Sequence, residues 1–88
     1  MYIVVLTEFK EIFWGKTEDK PDADILHLTG ARQALYYSAD TGGLLGLAAK
    51  GPADGSRIGP KVTALVVHRP VNVMASTKDA DNVWRKAK

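Results

Sequence analysis

Six of the eight glycines and two of the four prolines fall within Asp40–Pro60. They surround one apolar run, Leu44–Ala49. Glycine permits positive φ and close backbone approach, and proline fixes φ and removes a donor. A segment built this way around an apolar centre is not a flexible linker. It reads as a strand, Leu44–Ala49, held between two built turns. Ala39-Asp40-Thr41-Gly42 closes a hairpin onto that strand, and Lys50–Pro60 is a turn-rich excursion around Ser56-Arg57-Ile58. Gly46 then leaves room mid-strand for a neighbouring aromatic ring or backbone.

The rest of the chain reads as mainly β. Tyr2–Phe9 has apolar residues on both alternating faces, the pattern of a central strand. Lys10-Glu11 turns it into Ile12–Thr17, an N-terminal hairpin. Glu18–Asp24 is a polar loop with four acids and a proline. Ile25–Leu28 and Ala31–Ser38 read as one long strand bent at Thr29-Gly30; helix is the competing reading for Ala31–Leu35. Val62–His68 and Val71–Met74 form a last hairpin about Arg69-Pro70. Ser76-Thr77 starts a helix, with Asp79 three residues after Ser76 and cations at its far end. Ala80, Val83, Trp84 and Ala87 share one face of it, so Trp84 docks the helix.

The fold expected is a single domain, residues 1–88: a bent antiparallel sheet or small open SH3-like barrel with one short C-terminal α-helix. At this length the core is small. The absence of cysteine excludes disulfides and thiolate chemistry and fits a reducing cytoplasm. No apolar run approaches the roughly 20 residues of a membrane span.

No set of residues in the sequence points to a reaction. His27 and His68 lack a third ligand at fixed spacing, and the Glu18–Asp24 acids lack the alternation of a calcium loop. The serines lack a partnered histidine and a nucleophile elbow. Gly51–Gly59 lacks the terminal Gly-Lys-Ser/Thr of a phosphate loop. We therefore expect no enzyme, no metal and no cofactor.

Charge suggests a surface. Net charge is +2 overall, but residues 1–40 carry −3 and residues 41–88 carry +5. Lys50, Arg57 and Lys61 bracket the glycine-rich turn, whose amides can form an anion nest. Tyr36 and Tyr37 point to opposite faces, one in the core and one beside Arg32 or Lys50. Arg32, Tyr36, Lys50, Arg57 and Lys61 are thus the candidate binding surface. The leading expectation is a protein partner, with a homo-oligomer as one form of it. A nucleic acid or nucleotide on the basic half is the alternative.

Three pieces carry a resemblance: Thr29-Gly-Ala-Arg-Gln-Ala-Leu-Tyr-Tyr-Ser38, Gly43-Leu-Leu-Gly-Leu-Ala-Ala-Lys-Gly-Pro52 and Ser56-Arg-Ile58. Together they resemble a family of small uncharacterised proteins of bacteriophages and prophages, over roughly residues 12 to 84. In that family the second aromatic of the strand is commonly tryptophan; Tyr37 stands there in this chain. The resemblance implies a phage or mobile-element origin and action in the host cytoplasm. It implies no activity and no functional residues.

Overall fold

A computed structural model describes all 88 residues. Six strands, β1 (Tyr2–Thr7), β2 (Ile12–Lys16), β3 (Ile25–Tyr36), β4 (Arg57–Ile58), β5 (Val62–His68) and β6 (Pro70–Ala75), form one antiparallel sheet. Two helices accompany it, α1 (Gly43–Ala49) and α2 (Lys78–Lys86), with a short 3-10 turn at Ala39–Thr41.

The sheet runs β6-β1-β2-β3, and the far edge of β3 takes β5 along Ile25–Ala31 and β4 along Ala34–Tyr36. β1 is the central strand its two apolar faces predict. β1 and β2 form the expected hairpin. Its turn places Lys10 at φ 66, and the Thr7 hydroxyl accepts from the amides of Phe9 and Glu11. β3 is one strand with its bend at Gly30, φ 60, where the β2 register also shifts. The glycine is required because that φ strains any side chain. Before the bend Leu26 and Leu28 face inward, and after it Arg32 and Ala34 lie on the opposite face with Trp14.

The sheet has a core on each side. The inner one holds Ile3, Val5, Leu26, Leu28, Ala31 and Val67. The outer one joins Val4, Ile12, Trp14, Ala34 and Ile58 to Leu47 and Ala48 of α1 and Ala80 and Trp84 of α2. Trp84 is fully buried, so α2 docks as its spacing predicts.

Three expectations are corrected. Leu44–Ala49 is not a strand: it is most of α1. Leu44, Leu47 and Ala48 recur at helical spacing against the outer core, while Leu45 is 71% exposed. Leucine and alanine favour helix, and this short run follows that preference. Gly46 does leave room for backbone, as expected, but inside a helix and against the Thr41 carbonyl.

Second, β5 and β6 are not a hairpin. β5 pairs with β3 and β6 with β1, at opposite edges of the sheet. The single residue between them, Arg69, has φ 52. It turns a corner, and its amide bonds Asp24 O at 3.3 Å. The sheet therefore curls until its two edge strands meet at that corner.

Third, the N-cap falls within the expected Ser76-Thr77 pair, at Thr77, whose hydroxyl accepts from Ala80 N at 3.0 Å, but Ser76 and Asp79 make no capping box. Thr77 also closes α1. Its amide donates to Ala48 O and its hydroxyl to Ala49 O, both at 2.9 Å. One residue thus satisfies the end of one helix and the start of the next.

Candidate functional site

The outer face carries the polar chemistry of the molecule. Tyr2 and Trp14 stack with centroids 5.1 Å apart, and Trp14 and Trp84 stack at 5.8 Å. Both indole N–H groups are satisfied inside: Trp14 Nε1 donates to the buried Asp81 carboxylate at 2.9 Å, and Trp84 Nε1 to Leu47 O at 2.9 Å. The rings are therefore fixed in place. Arg85 lies across this stack, its guanidinium carbon 4.7 Å from the Tyr2 centroid and 5.9 Å from that of Trp14.

The five residues expected to form one surface are dispersed. Arg32 is 9% exposed. Its Nε donates to Gly59 O, and its Nη1 donates to Trp84 O and Ala87 O, at 2.6–2.8 Å. It is a buried clamp on the C-terminal carbonyls of α2, where a cation also suits the helix dipole. That engagement takes it off the binding surface. Tyr36 is 55% exposed, and its neighbour Tyr37 packs on the outer core, the division expected of adjacent strand residues. Tyr36 pairs across the sheet with the exposed Arg57.

Lys50 and Lys61 line different clefts. Lys50 shares its cleft with Asp40 and Asp54, which disfavours an anion there. Lys61 lies against Gly30 and lines a cleft of about 470 Å³ with Tyr2, Trp14, Thr29, Thr63 and Arg85. Two cations and no carboxylate line it. The sequence reading missed Arg85, which it took only as a helix-end cation. The signal available was its position next to Trp84.

His27 stands with Asp19, Nδ1 to Oδ2 3.0 Å. The His27 amide, 2.7 Å away, and then its ring hold the Asp19 carboxyl below the usual range. No group of three or more His, Asp or Glu side chains is placed to hold a metal ion. No helix is long and apolar enough to cross a membrane.

A second surface is the free edge of β5. This strand pairs with β3 alone and exposes Val62, Ala64 and Val66. It carries no Lys, Glu or Pro, the residues that usually guard an edge.

A family model described as a domain of unknown function, DUF6948, matches residues 1–84. The chain belongs to that family. No curated protein and no solved structure matches it. The DUF6948 match runs from β1 to Trp84. It therefore spans both cores and all but the end of α2.

The Arg32 clamp has a measurable weight. Arg32→Met leaves buried carbonyls at the end of α2 without a donor. Charge-assisted hydrogen bonds of this kind are worth about 1.5–3 kcal/mol each, so a loss of about 3 kcal/mol is expected in urea unfolding. Arg32→Lys should recover only part, because an ammonium lacks the planar fork. A loss below about 0.5 kcal/mol, the range of ordinary surface changes, would show that the clamp is dispensable.

Proposed function

We propose that this DUF6948 domain is a non-enzymatic binding module that takes an extended segment of a partner protein along β5. The observation that supports this most is the β5 edge. It is a seven-residue strand with one edge unpaired and exposed Val62, Ala64 and Val66. Val66 is 46% exposed, and Ile25 on the neighbouring strand is also exposed. Main-chain bonds along such an edge supply affinity, and the alternate side chains supply selectivity. A second copy of the chain can use the same edge, which is the form a homo-oligomer would take.

We read the curled sheet as an open SH3-like barrel. The support is the strand order β6-β1-β2-β3-β5, with a one-residue corner joining the two edges. We further read the protein as a phage-type accessory factor acting in the host cytoplasm. That reading rests on the Gly43–Pro52 string and its neighbours.

The test is capture from infected host lysate by wild type and by Val66→Lys, each with and without nuclease. A protein retained after nuclease and lost with Val66→Lys is the expected result. The variant should melt like wild type, since exposed substitutions stay within about 0.5 kcal/mol. Capture that ignores Val66→Lys, or disappears with nuclease, would exclude the β5 edge as the protein-binding surface.

A further inference from the structure

The cleft between Tyr2, Thr29, Gly30, Lys61, Thr63 and Arg85 borders the start of β5 but is polar where the β5 edge is apolar. It holds two cations, the hydroxyls of Thr29, Thr63 and Tyr2, and no acid. The salt-bridge contacts in the molecule are Arg69–Glu8 and the His27–Asp19 contact. Neither Lys61 nor Arg85 therefore makes a salt bridge, although the Asp81 carboxylate acts on Arg85 at longer range. Asp81, one turn before Arg85, accepts from Trp14 Nε1 at its Oδ1.

Arg85 is also preorganised. Its guanidinium rests against Tyr2 and Trp14, and Nη1 donates to Asn82 Oδ1 at 3.1 Å. A guanidinium has five N–H donors, so most of them remain free. Holding the group on an aromatic face lowers the ordering cost of binding, and the planar fork matches phosphate geometry. Lys61 adds a point charge across the cleft, and the threonines add hydroxyl donors.

We propose that this cleft binds a phosphate group, with Arg85 and Lys61 as its cation pair. The cleft volume of about 470 Å³ admits a phosphate monoester such as a nucleotide, and its open mouth also admits a phosphate of a nucleic-acid backbone. The shared chemistry is the phosphate; the experiment separates the two sources.

The probes are inorganic phosphate, adenosine monophosphate and a short single-stranded oligonucleotide. The readout is the indole N–H resonance of Trp14, which lines the cleft, against that of Trp84, which does not. Single-group phosphate sites bind in the millimolar range, so titration to about 10 mM is appropriate. Trp14 should shift while Trp84 stays, and chloride at equal ionic strength should do nothing. Arg85→Gln and Lys61→Gln should each weaken binding about tenfold, the loss expected for one charge-assisted contact.

If the free anions bind, the ligand is a small phosphate ester. If only the oligonucleotide binds, its salt slope should fall by about 0.7 for each cation removed, which identifies backbone phosphate. Because Arg85 also packs on the aromatic stack, Lys61→Gln serves as the variant least able to disturb the fold. No response to any probe, or a response that survives the double substitution, overturns the proposal.

Discussion

Trp84→Ala should unfold most of the protein. Its side chain is fully buried, stacks on Trp14, and donates to Leu47 O. Truncating a buried tryptophan costs about 3–5 kcal/mol. A domain of this size holds about 5 kcal/mol in all, so little folded population would remain. Far-UV circular dichroism through a urea titration reads this directly. Trp84→Phe keeps much of the apolar volume but strands the Leu47 carbonyl, and should fall between the two. A Trp84→Ala midpoint equal to that of wild type would show that α2 contributes nothing to the outer core.

Gly46→Ala should destabilise although it improves helix propensity. In an open helix the change gains about 1 kcal/mol. Here an added Cβ would lie 1.8 Å from the Thr41 carbonyl oxygen and 2.7 Å from its carbon. The obstacle is backbone, which cannot rotate away as a side chain can. The Ala39–Thr41 turn must move, and with it the bond from Ala53 N to Thr41 Oγ1 at 3.0 Å. Overpacking costs about 1–3 kcal/mol, and a backbone obstacle puts this site at the top of that range, so about 2 kcal/mol net is expected. Leu45→Ala, at the exposed position of the same helix, should stay within about 0.5 kcal/mol. A Gly46→Ala variant more stable than wild type would show that the close approach of turn and helix is soft.

Most of the sheet was legible because its signals are local. β1 shows apolar residues on both faces, the Gly30 bend sits between two strand-like runs, and Trp84 has helical company in Ala80 and Ala87. The failures share a different cause. Leu44–Ala49 is short and flanked by glycine, so period alone could not separate a buried strand from a helix. Arg69-Pro70 is a turn in any reading. Whether β5 and β6 then pair with each other or with strands about 30 to 70 residues earlier is decided by which faces need covering. Arg32 looks like a surface cation because nothing near it in sequence shows that its partners are carbonyls of residues 59, 84 and 87. Arg85 was missed for the same reason: its place over Tyr2 depends on α2 docking against β1 and β2.

The position of β1 governs how the chain can reach this fold during synthesis. It lies between β2, made moments later, and β6, made last among the strands. Its outer face lies in the core that α1 and α2 complete together, and α2 follows β6. A nascent chain can close the first hairpin on the ribosome, but one edge of β1 stays open until residue 75 emerges, and the core over its outer face stays incomplete until Trp84 does. Contacts of such long sequence separation form slowly. An unpaired strand of valine, isoleucine and leucine is the surface through which partly made chains meet one another. The molecule is therefore open to misassembly until β6 and Trp84 have both emerged, and their docking is the step that protects it.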